Sequence, residues 1–225
     1  MSGSDWSADT EAARTVQARL HAQEAIIGVV GLGYVGLPLA VQYARSGFDT
    51  LGIDLDAQRV QRLRAGENYI DDVDDRDIRT FVAEGRLQVE SSFERAAEAD
   101  VFFVCVPTPM TDAKNPDLTY VESAIKSIAE HLRPGQLIVL KSTTYPGTTE
   151  EVVRPLLEAA AADTHLDLGR DYFLAFSPER IDPGNETPQT GTLPVVGGAM
   201  TDAGAPVTEA ALRAAGTEVH LAPTP

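Results

Sequence analysis

The sequence of 225 residues predicts an α/β fold with a doubly wound, mainly parallel sheet. Segments with the pattern of strands alternate with segments with the pattern of helices from residue 26 onward. Residues 100–106 (DVFFVCV) form a continuous apolar run, which is typical of a strand buried on both faces of a parallel sheet. Residues 26–56 place a strand, a glycine-rich loop, a helix and a second strand in the order of a βαβ unit.

The other elements follow from hydrophobic periodicity and from turn residues. We predict strands over residues 26–30, 50–53, 87–89, 100–106, 136–141, 172–176, 193–196 and 218–221. We predict helices from the glycine loop to residue 44 and over residues 57–65, 77–84, 91–99, 118–132, 148–161 and 205–215. Pro155 is expected to kink its helix, because proline has no N–H to donate. Residues 1–24 are expected to be a polar extension, frayed or forming a short helix, and residues 25–225 a single domain, with a surface loop over 185–192.

The glycine loop, GLGYVG over residues 31–36, predicts a dinucleotide site. Gly31 permits the tight turn off the strand, Gly33 lets the backbone approach a pyrophosphate, and Gly36 lets the helix pack closely on the strand. The N-terminus of the following helix offers unpaired N–H groups and a partial positive charge, which suit a phosphate. The alternative is a glycine-rich turn that serves packing only.

Asp54 ends the second strand of this unit, where its carboxylate can accept hydrogen bonds from the hydroxyls of an adenosine ribose. A carboxylate there would repel the 2′-phosphate of NADP, so the position favours NAD. The strand, loop, helix and acidic strand end occur in the right order for a Rossmann-like fold, whose ligands bind at the carboxyl ends of the strands.

Composition limits the classes of partner. The net charge of −16 argues against binding nucleic acid or an anionic membrane. The acidic run over residues 71–77 is interpreted as an exposed loop and helix start rather than a metal site, and the four histidines have no metal-ligand spacing. The single cysteine, Cys105, forms no disulfide framework and suits a reducing compartment such as the cytoplasm. No segment has the pattern of a membrane span or a signal peptide.

Three polar motifs directly follow predicted strands. Thr108 follows the strand over 100–106, Thr143 follows the strand over 136–141, and Glu179 follows the strand over 172–176. The carboxyl ends of parallel strands share one edge of the sheet, so all three side chains are expected to lie at the edge that carries the glycine loop. The alternative is that Thr143 and Glu179 only cap the helices that follow them.

Four segments together resemble the UDP-glucose/GDP-mannose dehydrogenase family. They are GLGYVGLPLA (31–40), FVCVPTP (103–109), KSTTYPGTTE (141–150) and FSPERIDPGN (176–185). The segment ENYIDDV (67–73), with STTYPGTT and SPERIDPG, is most similar to the branch that oxidises UDP-N-acetylhexosamines. The resemblance implies an enzyme that oxidises the C6 alcohol of a sugar nucleotide to a carboxylate in two hydride transfers to NAD⁺, through a thioester on a cysteine.

The resemblance also implies roles for individual residues. Asp54 would hold the adenosine ribose, Arg59 would pack near the adenosine, and Thr108 would lie beside the nicotinamide ribose. Thr143 would help to position the catalytic water, and Glu179 would act as the base in hydrolysis, roles that suit a hydroxyl and a carboxylate. The pyrophosphate loop would be formed by Gly31, Gly33, Tyr34, Val35 and Gly36.

The nucleophilic cysteine of this family, the central dimer-forming helix and the C-terminal UDP-binding domain lie downstream of the residues matched here. Cys105 lies within a predicted buried strand, where a small apolar thiol is the ordinary interpretation. We therefore expect this chain to bind NAD without full turnover, as part of a larger enzyme or with a separate chain that carries the rest. The alternatives are a non-enzymatic NAD-binding module that senses cofactor or regulates a partner, and a β-hydroxyacid dehydrogenase.

Overall fold

The computed structural model of the protein describes residues 9–110, 116–179 and 194–225. The strands are β1 (Ile27–Val30), β2 (Thr50–Ile53), β3 (Leu87–Glu90), β4 (Val101–Val104), β5 (Leu137–Leu140), β6 (Phe173–Phe176), β7 (Val195–Ala199) and β8 (Val219–Ala222). The α-helices are α1 (Glu11–His21), α2 (Gly36–Arg45), α3 (Ala57–Arg64), α4 (Asp75–Ala83), α5 (Thr119–Ala129), α6 (Arg154–Ala161) and α7 (Gly204–Ala214).

The strands form one sheet in the order β3-β2-β1-β4-β5-β6-β7-β8. All neighbouring pairs are parallel except β6 and β7, which are antiparallel. The predicted doubly wound, mainly parallel sheet is therefore confirmed. The chain winds outward from β1 to β3 and then returns to β4 on the other side of β1, so the winding direction reverses between β1 and β4. Ligands of such sheets bind at this reversal, beyond the carboxyl ends of the strands.

The central strands are buried on both faces. In β4, Val101 and Phe103 belong to the core beneath α1, α2 and α7, whereas Phe102 and Val104 belong to the core beneath α5 and α6. Successive side chains of a strand point to opposite faces, so a strand between two helical layers must be apolar at every position. This requirement explains the continuous apolar run that predicted β4.

The amino-terminal segment contributes to the core. Residues 11–21, expected to be a polar extension or a short helix, form α1, whose Ala13, Val16 and Leu20 are buried. Thr10 caps this helix by accepting a hydrogen bond from the Ala13 amide at 3.1 Å. The acidic run over residues 71–77 contains an exposed turn and the start of α4, as the sequence predicts, and Asp74 caps that helix by accepting from the Arg76 amide at 2.8 Å.

Two predicted helices were wrong in detail. Residues 91–99 form only one 3₁₀ turn, Ala96–Glu98, which has no side-chain cap, so the serines do not open a helix there. The helix predicted over 148–161 begins as a π-helical turn, Thr149–Val153, and continues as α6. Pro155 lies at the start of α6, where its missing N–H removes no α-helical hydrogen bond, and it does not kink the interior.

Other differences concern the bounds of β4, predicted over 100–106 and found at Val101–Val104, and of the β7 region. The strand predicted over 193–196 lies at Val195–Ala199. The surface loop predicted over 185–192 lies outside the described residues. Within the described ranges, no helix is both long and apolar enough to span a membrane.

Candidate functional site

A cavity of about 690 Å³ opens beyond the carboxyl ends of β1, β2, β4, β5 and β6. Its position matches the reversal of winding between β1 and β4. It is lined by every site residue that the sequence predicts except Gly36, namely Gly31, Gly33, Tyr34, Val35, Asp54, Arg59, Thr108, Thr143 and Glu179. The fold therefore brings together residues that are up to 148 positions apart in the chain, from Gly31 to Glu179.

The glycine loop has the geometry that its sequence predicts. Gly31 has a φ of 87°, in the left-handed region that L side chains rarely adopt. A Cβ on Gly36 would lie 1.8 Å from the Gly31 carbonyl oxygen, so only glycine lets α2 begin this close to β1. A Cβ on Gly33 would have no heavy atom within 4 Å, because this residue faces open space at the cavity.

The backbone between β1 and α2 can receive an anion. Among the described hydrogen bonds, the amides of Gly33, Tyr34 and Val35 donate to no protein acceptor. Unpaired amides before a helix attract anions, and the dipole of α2 adds to the effect. This combination suits the pyrophosphate of a dinucleotide.

Asp54 is held by backbone amides on both carboxylate oxygens. Its Oδ2 accepts a hydrogen bond from the Leu32 amide at 2.8 Å, and its Oδ1 accepts one from the Asp56 amide at 2.9 Å. The residue is only 9 % exposed, yet it lines the cavity. Each carboxylate oxygen has two lone-pair sites, so the pair can still accept hydrogen bonds from ribose hydroxyls.

Arg59 lies between two carboxylates at the same end of the cavity. Its guanidinium is 3.5 Å from Asp54 Oδ2 and 3.5 Å from Asp56 Oδ2. The side chain is about half exposed, so these ion pairs contribute little to stability. Arg59 instead offsets the negative charge around Asp54 and presents a planar cation to the cavity.

Thr108 and Thr143 join the loops that follow β4 and β5. The Thr108 hydroxyl donates to the Thr143 carbonyl at 2.6 Å. The buried Ser142 hydroxyl donates to the Val106 carbonyl, in the loop that follows β4, at 2.7 Å. Thr143 is exposed and lines the cavity. The next helical segment, Thr149–Val153, begins six positions later and has no side-chain cap, so Thr143 does not cap it.

An ion pair that sequence reasoning missed lies at this end of the cavity. Lys141 Nζ is 3.3 Å from Glu179 Oε2, and the Lys141 side chain is only 4 % exposed. A lysine is almost never this buried without an anionic partner. The available signal was a lysine at the end of a predicted buried strand, but the sequence could not show which carboxylate it would meet. Exposed apolar side chains at the rim, Leu55 and Tyr120, were also missed.

Cys105 lines the cavity wall as a partly buried free thiol. Burial raises the pKa of this thiol to about 12; the positive charge of Lys141 lowers it and the negative charge of Glu179 raises it, both to a smaller extent. The nucleophilic form of cysteine is the thiolate, which hardly forms at neutral pH with such a pKa. Cys105 was predicted to lie within the buried strand, but β4 ends at Val104 and Cys105 follows it at the cavity; its raised pKa still makes it unsuited to act as a nucleophile. The described residues contain no cluster of side chains suited to a metal ion.

Comparison with known proteins identifies relatives of the whole domain. A sequence model of the UDP-glucose/GDP-mannose dehydrogenase family, NAD binding domain, matches residues 25–212. The chain is 39 % identical to the UDP-N-acetyl-D-mannosamine dehydrogenase of Pyrococcus horikoshii over 159 residues, covering 70 % of this chain and 37 % of that protein. It is 36 % identical to the UDP-N-acetyl-D-glucosamine 6-dehydrogenase of Pseudomonas aeruginosa over 167 residues, covering 74 % of this chain and 38 % of that protein.

The fold agrees with a solved structure of similar type. The crystal structure of the NDP-N-acetyl-D-galactosaminuronic acid dehydrogenase of Methanosarcina mazei matches 95 % of this chain and 47 % of its own, with a TM-score of 0.82 and 25 % identity. The matched part of this chain thus spans less than half the length of each of these three relatives.

Proposed function

Because the chain belongs to the UDP-glucose/GDP-mannose dehydrogenase family and carries its NAD-binding domain, we propose that the 690 Å³ cavity holds NAD in the service of UDP-sugar oxidation. The observation that carries the proposal is that a glycine loop with free amides, the Asp54 carboxylate and the Lys141–Glu179 pair open onto one cavity. The first two suit a dinucleotide, and the third adds ionisable groups that cofactor binding does not require.

The proposed cofactor contacts follow the order of the strands. The amides of Gly33, Tyr34 and Val35 bind the pyrophosphate, and Gly31 and Gly36 shape the loop that presents them. The Asp54 carboxylate accepts from the adenosine ribose, and Arg59 packs beside the adenosine. Thr108 and Thr143, joined by their 2.6 Å hydrogen bond, form the wall beside the nicotinamide ribose.

The proposed reaction would oxidise the C6 alcohol of a UDP-N-acetylhexosamine to a uronate at the expense of two molecules of NAD⁺, each of which would accept one hydride. The relatives named for UDP-N-acetyl-D-mannosamine and UDP-N-acetyl-D-glucosamine support this substrate class. The Thr143 hydroxyl can accept a hydrogen bond from the attacking water while donating one of its own. The Glu179 carboxylate can take a proton from that water as it hydrolyses the thioester on the enzyme's cysteine. Lys141 holds Glu179 at the cavity through their ion pair.

We assign full turnover to a larger enzyme, whose other catalytic groups lie outside these 225 residues in one chain or in a separate one. The raised pKa of Cys105 supports this assignment, since this thiol is unsuited to act as the nucleophile. The single cysteine and the NAD chemistry suit a reducing, cytoplasmic setting.

Calorimetric titration of the chain with NADH and with NADPH tests the cofactor assignment. We expect saturable binding of NADH, with NADPH weaker by about tenfold or more because Asp54 opposes the 2′-phosphate. The matched control is Gly33→Val, which fills the open space at the loop while leaving the core intact. Absence of saturable NADH binding, or equal binding by the control, would count against the proposal.

A non-enzymatic NAD-binding module is the second candidate, and the glycine loop alone would serve it equally well. The buried Lys141–Glu179 pair favours the enzyme, because a sensor of cofactor needs no such pair beside the site. The chain by itself should form no NADH from NAD⁺ and a UDP-N-acetylhexosamine. Robust turnover would contradict the assignment of full turnover to a larger enzyme. A reading frame downstream that encodes the family's nucleophilic cysteine and C-terminal UDP-binding domain would support the enzyme, and an unrelated gene there would favour the module.

A further inference from the structure

Tyr69 contacts the backbone of the glycine loop through its hydroxyl. It lies in the ENYIDDV segment between α3 and α4, and it is not among the residues that line the cavity. Its hydroxyl donates to the Leu32 carbonyl at 2.6 Å, across 37 positions of sequence. A residue outside the site is thus bonded directly to the backbone that forms the site.

Leu32 is anchored in three ways. Its amide donates to Asp54 Oδ2 at 2.8 Å, and its carbonyl accepts from Tyr69 at 2.6 Å. Its side chain is fully buried against Gly52 of β2, where an added Cβ would lie 2.9 Å from the leucine side chain. Both backbone polar groups of this residue therefore have a hydrogen-bond partner, one at the end of β2 and one in the segment between α3 and α4.

The orientation of the next peptide follows from these bonds. The Leu32–Gly33 peptide is trans, so the Leu32 carbonyl and the Gly33 N–H point in opposite directions. Since the carbonyl points to Tyr69, the Gly33 N–H points away from Tyr69, and Gly33 itself lines the cavity. Holding the carbonyl therefore also aims the amide that would bind a phosphate.

Tyr69 is itself held in place by its neighbours. The Asn68 side chain accepts from the Tyr69 and Ile70 amides at 2.8 and 3.0 Å. The same side chain donates to the Ile70 and Val73 carbonyls at 2.8 and 2.7 Å, which closes the turn. The Arg62 guanidinium lies 5.4 Å from the centre of the Tyr69 ring, within range of a cation–π interaction.

The Tyr69 hydroxyl is also in the right protonation state. Burial raises the pKa of Tyr69, and the nearby negative charge of Asp54 raises it further. The phenol therefore keeps its proton at all physiological pH values and always acts as the donor to Leu32.

We propose that Tyr69 is a positioning residue for the cofactor, which fixes the Leu32–Gly33 peptide so that the loop amides are preorganised for the pyrophosphate. The inference rests on the proposed NAD site. A preorganised loop loses less conformational freedom when the ligand binds, so removing the hydroxyl should weaken ligands that contain the pyrophosphate.

The test compares Tyr69→Phe with Tyr43→Phe. Tyr43 is fully buried, does not line the cavity, and donates to the Ala211 carbonyl at 2.8 Å, so its variant also removes one tyrosine-to-carbonyl hydrogen bond. We expect Tyr69→Phe to raise the dissociation constants of NADH and ADP-ribose by about 5- to 10-fold, which corresponds to the loss of about one hydrogen bond. Adenosine, which has no phosphate, should change by less than about twofold, and Tyr43→Phe should leave all three affinities unchanged.

Binding of NADH and ADP-ribose is measured by calorimetry, and binding of adenosine by ligand-observed NMR. All measurements are made below the thermal unfolding temperature of every variant. Equal NADH affinity of the unmodified chain and Tyr69→Phe would overturn the inference. Equal loss of adenosine and NADH affinity would also overturn it, because the hydroxyl would then support the whole site. If the unmodified chain does not bind NADH, the proposed function itself is overturned, and this inference falls with it.

Discussion

The two ends of the cavity are built by different means. At the end formed by β1 and β2, the groups that face the cavity are held by backbone hydrogen bonds, as the Leu32 and Asp56 amides hold Asp54. At the end formed by β5 and β6, the central feature is a side-chain ion pair, with Lys141 Nζ 3.3 Å from Glu179 Oε2. The first end depends on local loop geometry, and the second depends on two side chains that meet only in the folded sheet.

This difference matches the proposed division of roles. A cofactor that is bound and released intact needs a rigid surface of amides and one carboxylate. A reaction that moves protons needs ionisable side chains, and these bring a cost of burial that an ion pair must offset. We therefore expect substitution of Asp54 to act mainly on cofactor affinity and substitution of Lys141 to act mainly on stability.

The largest effect is expected at the start of α2. Gly36→Ala would place a Cβ 1.8 Å from the Gly31 carbonyl oxygen, and neither backbone can move without parting α2 from β1. We expect a loss of about 3–5 kcal/mol in the free energy of unfolding, measured by urea titration and circular dichroism. Gly33→Ala is the control, since its Cβ meets no atom within 4 Å and its stability should change by less than about 1 kcal/mol. A stable Gly36→Ala protein would show that the loop is not as tightly packed as described.

The next effect is expected at the ion pair. Lys141→Met removes the ammonium group that lies 3.3 Å from Glu179 Oε2 and should lower the free energy of unfolding by about 2–4 kcal/mol while changing NADH affinity little. Lys126→Met is the matched control, because Lys126 is also 3.3 Å from its partner Glu122 but is 57 % exposed, so its loss should cost less than about 0.5 kcal/mol.

A double-mutant cycle with Glu179→Gln tests whether the pair itself is responsible. The loss in the double variant should be smaller than the sum of the two single losses by about 1–3 kcal/mol. Additive losses would mean that Lys141 and Glu179 stabilise the protein independently.

A smaller effect on stability, with a large effect on binding, is expected at Asp54. Asp54→Asn keeps one carbonyl oxygen for two backbone donors, so one amide loses its acceptor at a cost of about 1–2 kcal/mol. NADH affinity should fall by about tenfold, and the preference for NADH over NADPH should narrow. Asp49→Asn removes the same charge from an exposed site that does not line the cavity, and it should change the affinity for neither NADH nor NADPH. Unchanged cofactor preference in Asp54→Asn would contradict the ribose assignment.

The smallest effect is expected from Cys105 and appears only at alkaline pH. The pKa of its thiol is raised from 9.0 to about 12 by burial, so between these values the unfolded chain loses a proton that the folded chain keeps. The contribution of this group to stability is therefore complete below pH 9 and is lost as pH rises toward 12.

Comparison with Cys105→Ala isolates this effect from other titrations. Between pH 8 and pH 10, the unmodified chain should lose about 1 kcal/mol more than Cys105→Ala in the free energy of unfolding. The same pH dependence in both proteins would mean that the thiol is not desolvated.

Sequence patterns predicted most of the framework because the signals are local. The apolar run over 100–106 identified the buried β4, and the positive φ required at Gly31 explains why that position must be glycine. Prediction failed over one segment between two strands. Residues 91–99 have serines suited to capping, yet only the 3₁₀ turn Ala96–Glu98 forms between β3 and β4.

By itself, the sequence determined the α/β class, the glycine loop and the placement of Asp54 at a strand end, because helix and strand periods, turn residues and motif spacing act over a few neighbouring positions. Only the tertiary structure decided that Lys141 meets Glu179 and that Tyr69 holds Leu32. The partners are 38 and 37 positions apart, respectively, and their contact depends on the order of the strands in the sheet and on the path of the loops between them. No local pattern encodes that arrangement, since it follows from packing two helical layers against one sheet.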